Sequence, residues 1–402
     1  MKILVVVGNC LKVNSSANLC HLAYIKGFID YGCDVTVISM SDTGQIIDDS
    51  IELPKPAKYE FFNSSLLLKF INPNSRKKLN KNMENQDLSI KTRIFNWARS
   101  FILKQYAPFG YSKVWVKNVV KTFMDDEQFD LVLSLSSPVT SHIAAYQLIN
   151  NNKISCKTFC EVWEDPWQYD LYKGKVDPQL LSLEYEITQY ADKVLYVSPI
   201  TLEIQKSLFT LSVHKMDWLP LPYYYSSNKA VDFSKHYYGY FGDYFPHVRN
   251  LANFYDAAKE LSLNINICGM PDNLFQETST ICINERLPLN ELKQYEAMTN
   301  VLVFLCNLKG GQIPGKIYQY AATMKKILFI LDGTDQEKLI IKKYFAQFNR
   351  FYFCNNNKED IIKTIIKLEN NEDIRVENCC LEYFSPKNIA CEILKKNGLI
   401  NE

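Results

Sequence analysis

No run of about 18 apolar residues occurs anywhere in the chain, which excludes a membrane-crossing helix of ordinary length. The strongest apolar runs, Val301 to Cys306 and Ile327 to Leu331, have the length of buried strands. The opening MKILVVVGNC reaches Gly8 and Asn9 after about five apolar residues, too few for a secretion signal, so the expected location is the cytosol. The twelve cysteines show no pairing of CxxC motifs and no Cys/His set with zinc-site spacing. Cytosolic redox conditions then favour reduced thiols acting as small buried hydrophobes, and no disulfide framework is expected. A fixed short repeat is also missing, and low complexity is confined to Asn-rich patches near Asn150 and Asn355, so a solenoid is excluded.

What is present is an ordinary globular composition, 47% hydrophobic and 22% charged, over 402 residues. That length exceeds what one hydrophobic core usually serves and predicts two domains of about 200 residues each. The net charge is only +1, but it is unevenly spread. Between Leu66 and Lys121 twelve basic residues face two acids, Glu84 and Asp87. Phe95, Trp97, Phe101, Ile102, Leu103, Tyr106, Phe109, Tyr111 and Trp115 are interleaved with them. Cations mixed with apolar anchors fit peripheral contact with an anionic membrane surface at its cytoplasmic face; a solvated face over core aromatics is the other reading. Nucleic-acid binding would require a more basic domain overall and is not expected.

The order of apolar runs and amphipathic stretches alternates. Ile3 to Val7 reads as a strand, Leu19 to Phe28 as a helix stopped by Gly32, and Val35 to Ser39 as a second strand, a βαβ opening. Leu131 to Leu135, a helix over about 141–150, Thr158 to Val162 and Val194 to Val197 continue it. LPLPYYYSSNK, residues 219–229, has neither period and marks a linker, placed at 216–230. Beyond it come Tyr237 to Phe241, a helix over about 250–261, Ile265 to Cys268, Val301 to Leu305, a helix over 314–325 and Ile327 to Leu331. Two α/β domains with parallel sheets, 1–215 and 231–385, are predicted, and a closing helix around 386–396 is expected to pack back on the first. Open parallel sheets bind ligands beyond the carboxyl ends of their strands, so the chemistry is expected in the cleft between the domains.

The segment 301–331 carries the strongest signal. Gly310, Gly311 and Gly315 permit close backbone approach, and Pro314 suits a first helical turn. Free amides at that helix start, with Lys316 beside them, form an anion site suited to a diphosphate. Lys316, Gln319 and Thr323 share one helix face, with Ile317, Tyr320, Ala321 and Met324 on the apolar one. Gly310 to Lys316 also has the spacing of a nucleoside-triphosphatase phosphate loop, but Ile317 stands where the magnesium-binding hydroxyl belongs.

GGQIPGKIYQYAATMKKIL resembles the donor-binding segment of family 4 glycosyltransferases, and the resemblance implies a GT-B fold with two Rossmann-like domains facing across a cleft. By position Lys316 takes the basic role, Gln319 stands at the ribose-binding glutamate, and Gly311, with Gln312 next to it, stands where many relatives carry another glutamate. YYGYFGDYFPHVRN resembles the opening of the donor domain, with Gly242 at its turn, Arg249 as the nearby cation and Asp243 where many relatives have arginine. CEVWEDPWQYD resembles an acceptor-domain turn in which Asp165 or Glu164 would orient an acceptor hydroxyl or stabilise positive charge on the sugar; Asp165 is equally placed to cap a helix before Pro166. SSPVTSHIAAYQL resembles the acceptor-side loop, which makes His142 either an acceptor contact or a structural histidine.

The resemblance implies a retaining, metal-independent hexosyltransferase without a cofactor. It would move a sugar from a nucleotide-sugar donor to a lipid-linked or glycan acceptor in bacterial surface polysaccharide synthesis. The absence of a suitable Asp-x-Asp triplet agrees with that reading. A nucleotide-sugar 2-epimerase and a non-catalytic partner subunit share the expected architecture.

Overall fold

The computed structural model describes residues 1–41, 47–64, 112–126, 128–169, 175–227, 236–271, 273–309, 311–370 and 379–401. The first half runs β1 (Lys2–Val7), α1 (Ser16–Tyr31), β2 (Asp34–Met40), β3 (Lys58–Phe62), α2 (Ser112–Thr122), β4 (Gln128–Leu135), α3 (Thr140–Asn150), β5 (Ser155–Trp163), α4 (Pro178–Tyr190), β6 (Lys193–Tyr196), α5 (Pro199–Leu208) and β7 (Met216–Trp218). The second half runs β8 (Tyr237–Phe241), α6 (Ala252–Glu260), β9 (Asn264–Cys268), β10 (Ile281–Asn284), α7 (Leu289–Met298), β11 (Val301–Leu305), α8 (Lys316–Ala321), β12 (Lys326–Leu331), α9 (Asp335–Ala346), β13 (Phe351–Asn355) and α10 (Lys358–Glu369). Two short elements, α11 (Cys379–Tyr383) and α12 (Pro386–Lys396), follow.

The strands form two parallel sheets, ordered β3-β2-β1-β4-β5-β6-β7 and β10-β9-β8-β11-β12-β13. Strand order reverses between β1 and β4 in one sheet and between β8 and β11 in the other, and those reversals open the crevices at the carboxyl edges. The predicted α/β class, with two parallel sheets, is what the chain adopts. Continuous burial along β1, β11 and β12 explains why these strands read as unbroken apolar runs: helices cover both faces.

Local chemistry fixes the element ends. Ser15 accepts the amide of Asn18 at the start of α1, and Gly32 closes it with φ at 95°, a conformation open to glycine without Cβ strain. Thr334 and Glu337 make a reciprocal capping box on α9. Two boundaries differ from the sequence reading. The helix expected over 314–325 spans only Lys316–Ala321, because the Ala322 carbonyl turns outward to accept the amide of Ser227 in the linker. Met216 to Trp218, expected to begin the linker, instead pair with β6 as the last strand of the first sheet.

Most of the basic aromatic segment, residues 65–111, lies outside the described residues. Its described end, α2, shows Lys113, Lys117 and Lys121 exposed along one stripe and Trp115, Val116 and Val119 buried on the other. Trp115 is therefore a core residue, not a surface anchor, which follows from the amphipathic spacing of the helix.

The closing helix α12 packs against α1 of the first half. Gly27 of α1 lies so close to Pro386 that a Cβ would overlap the Pro386 carbonyl. Thr158 Oγ1 donates to Asn397 Oδ1 at 3.2 Å, and Lys396 pairs with Asp217. Replacing Gly27 with Ala adds helix propensity worth about 1 kcal/mol. The overlap with main chain should outweigh it, with a net loss of about 1–3 kcal/mol in urea unfolding. An unchanged or raised midpoint would contradict this packing.

Glu161 on β5 is fully buried, with Oε2 accepting from Trp163 Nε1 at 2.9 Å, and burial pushes its carboxyl up from 4.5 to about 8. The folded state thus keeps a proton that the unfolded chain releases earlier, so this contribution is complete below 4.5 and lost as pH rises through 8. Burial, and then His21, push His142 down to about 3, so its effect is confined to the acid side of its ordinary value of 6.5. Between pH 6.5 and 8 urea stability should have a more negative slope with pH in the native protein than in Glu161→Gln, the difference being the contribution of this carboxyl; equal slopes would refute the assignment.

Candidate active site

The carboxyl edges of the two sheets meet, and the loop over 311–316 is one place of contact between them. Gly311 has φ at 70°, and a Cβ there would overlap Ile200 of α5. Its carbonyl accepts Ser198 Oγ at 2.5 Å, while the same Oγ accepts the Ile200 amide at 3.2 Å and so caps α5. Gly315 faces Ser16 and Cys20 at the start of α1 and Leu221 of the linker. The two glycines are needed because helix starts of the first half lie directly against the loop. Gly310 lies outside the described residues.

One residue further, the Gln312 side chain donates through Nε2 to Asp165 Oδ1. Two candidates from opposite halves are therefore in contact. The network extends inward: Asn307 Nδ2 donates to the Gln312 carbonyl at 3.2 Å, and Arg249 Nε donates to Asn307 Oδ1 at 2.8 Å. Arg249 follows β8 and Asn307 follows β11, so their hydrogen bond spans the strand-order reversal of the second sheet. Arg249 Nη1 also donates to the Asp243 carbonyl at 3.2 Å, above the Gly242 turn. Gly242 lies in close contact with Gly269 after β9, where a Cβ would overlap the Gly242 carbonyl.

Lys316 stands apart from that chain. Its Nζ lies 3.2 Å from Glu296 Oε1, and Glu296 also accepts Tyr225 Oη from the linker. Gln319 accepts the amides of Tyr224 at 3.1 Å and Tyr225 at 3.2 Å and donates to the Tyr225 carbonyl. The residue at the ribose-binding position is thus engaged with linker backbone. Two of the amides at the helix start are engaged: Ile317 donates to Pro314 and Tyr318 to Gly315, each at 3.2 Å. Lys316 and Arg249 place cationic side chains at this edge.

On the first half, Asp165 starts no helix among the described residues; it sits in a bend, and Glu184 accepts the following amides of Trp167 and Gln168 at 3.1 and 3.0 Å. Glu164 lies 3.3 Å from His21 Nε2. Burial raises its carboxyl above the ordinary range and His21 opposes that shift, so Glu164 holds its proton to higher pH than a free carboxylate. His142 is not brought to the cleft. It is fully buried, with Nδ1 2.6 Å from Ser134 Oγ and its ring 4.2 Å from that of Trp163. Such a histidine packs the sheet rather than meeting an acceptor.

Sequence reasoning missed Asn307, Ser198, His21, Glu296 and Arg286. Asn307 had a usable signal, since it is the first side-chain amide after the apolar run of β11, at the edge where parallel sheets bind ligands. Arg286 had none, because its partner Asp243 is 43 residues away in sequence.

No family model and no curated protein matches this chain. Solved structures do. TarM aligns at TM-score 0.56 with 10% identity, over 99% of this chain and 97% of its own. Sucrose-phosphate synthase from Thermosynechococcus elongatus aligns at 0.53 with 10% identity, over 98% and 94%. A glycosyltransferase from Rickettsia africae aligns at 0.52 with 13% identity, over 100% and 99%. At such identities the likeness is one of fold, and it covers both halves: the chain has the GT-B fold of glycosyltransferases.

Proposed function

We propose that this protein is a glycosyltransferase that takes a sugar from a nucleotide-sugar donor to a lipid-linked or glycan acceptor, with retention and without a catalytic metal. One observation carries the reading. The chain Arg249–Asn307–Gln312–Asp165 runs unbroken from the carboxyl edge of one parallel sheet to that of the other. A cation suited to the leaving diphosphate and a carboxylate suited to the sugar or acceptor hydroxyl therefore share one hydrogen-bonded frame.

In this reading Arg249 and Lys316 neutralise the departing nucleoside diphosphate, the task a divalent ion performs in other transferases. Gly242, Gly311 and Gly315 keep the backbone low around the donor, and Gln312 orients Asp165 toward the reacting sugar. Glu164, held toward its protonated form, hydrogen-bonds an acceptor oxygen. Lys316 must exchange Glu296 for phosphate on donor binding, so the linker residue Tyr225 senses the occupied state. We assign the pathway to bacterial surface polysaccharide and place the protein at the cytoplasmic membrane face, on the charge pattern of 66–121 and the exposed lysine stripe of α2.

A second reading, a non-catalytic partner subunit, is favoured by one feature. Gln319 is engaged with the linker, and Gly311 leaves no room for a side chain, so neither position offers a carboxylate to a ribose. Thermal melting with UDP, GDP, CDP and dTDP in EDTA separates the two. A ligand that binds only the folded state raises the melting temperature, and at 100 times its Kd the gain is about 2.7 kcal/mol. One nucleotide should raise it, and Lys316→Ala should abolish both that shift and sugar transfer while melting normally alone. No shift with any nucleotide would favour the partner subunit; full transfer by Lys316→Ala would remove its proposed role.

A further inference from the structure

Four strand ends of the second sheet, β10, β9, β8 and β11, lie side by side, and each is followed by a residue of one small polar cluster: Arg286, Met270, Asp243 and Asn307. Asp243 binds two guanidinium groups at once. Its carbonyl accepts Arg249 Nη1 at 3.2 Å. Its carboxylate takes Arg286 side-on, with Nε 2.9 Å from Oδ1 and Nη2 against Oδ2, and accepts the Met270 amide at 3.1 Å. The two arginines thus converge on one residue of the Gly242 turn, Arg249 at its carbonyl and Arg286 at its carboxylate.

Their charges are balanced differently. Arg249 is partly buried, and its partners, Asn307 Oδ1 and a carbonyl, are neutral; it makes no ion pair among the described residues. Arg286 is ion-paired, but 64% of its side chain and 23% of the Asp243 side chain remain exposed. The exposed side of the arginine leaves the pair open to an incoming anion. Two guanidinium groups therefore meet at Asp243 beside a strand-order reversal, the edge where parallel sheets take anions.

We propose that Arg249 and Arg286 form a paired-guanidinium site for the donor diphosphate, and that Asp243 is an internal anion which keeps Arg286 in place until the diphosphate displaces it. The inference rests on the transferase reading above and adds to it a residue and an exchange. The planar fork of Arg286 presents the same two parallel N–H groups to a phosphate that it now presents to Asp243, so exchange costs no rearrangement of the arginine. A diphosphate brings more negative charge than the single carboxylate it replaces, and it also satisfies the charge of Arg249.

Isothermal titration calorimetry with UDP, GDP, CDP and dTDP tests this on the full chain. For whichever nucleotide binds, Arg286→Ala should weaken binding about tenfold, the effect of losing one charge-assisted contact. Asp243→Asn should tighten it several-fold, and that gain should vanish when combined with Arg286→Ala, since the carboxylate competes only for that arginine. Arg286→Lys should restore only part of the affinity, lacking the fork. Melting without ligand should be unchanged in Arg286→Ala, because the side chain is mostly exposed. Binding that Lys316→Ala weakens but Arg286→Ala leaves within twofold would overturn this inference alone. Asp243→Asn that weakens binding would overturn the displacement step. Native protein that binds none of the four nucleotides would overturn the transferase reading and this inference with it.

Discussion

The missing side chain of Gly311 sets how near the two sheets stand. Ile200 occupies the volume a Cβ would need, and the loop carbonyl seats on the hydroxyl that caps α5. With any larger residue the loop would lift from the first half, and Gln312 would lose its reach to Asp165. The inter-sheet chain from Arg249 to Asp165 and the close seating of Gly315 on α1 both follow from that approach. Aliphatic packing holds it: one continuous cluster includes Val5, Val7 and Ile200 of the first half and Ile313, Ile317 and Tyr318 of the second.

Polar groups are distributed around this contact by cost. Charges at the edge remain partly solvated and exchangeable, as at Lys316–Glu296 and Arg286–Asp243. Groups beneath the first sheet are dry, and their titration answers to burial: Glu161 and Glu164 are pushed up and His142 is pushed down. The first half thus contributes a dry polar interior and the second a charged rim, which suits a site that must attract an anionic ligand without storing unpaired charge in its core.

Much of the fold was legible because parallel strands covered on both faces are unbroken apolar runs. Tyr237 to Phe241 and Val301 to Leu305 are strands with the boundaries their residues suggest. Helix ends were less legible where the partner was distant: α8 stops early because Ser227 of the linker takes the Ala322 carbonyl. At the site, the glycines and Lys316 stood out by local spacing, as did Arg249 after its strand. The pairing of Gln312 with Asp165, of Asp243 with Arg286 and of Glu164 with His21 joins residues separated by tens to more than a hundred positions, and no local period encodes it. His142 shows the converse case, since a histidine on an apolar helix face carries no mark telling whether that face is inward.

The return of α12 to α1 joins, in one layer, a helix that precedes the second sheet in sequence and one that follows it. The face of α1 that receives Pro386 stays bare while everything between is being synthesised. On the ribosome the first sheet can assemble early, but its outer layer closes only after the whole second sheet has emerged. Folding of the first half is thus coupled to that of the second, and a nascent chain halted between α10 and α12 would present the bare apolar stripe of α1 to chaperones.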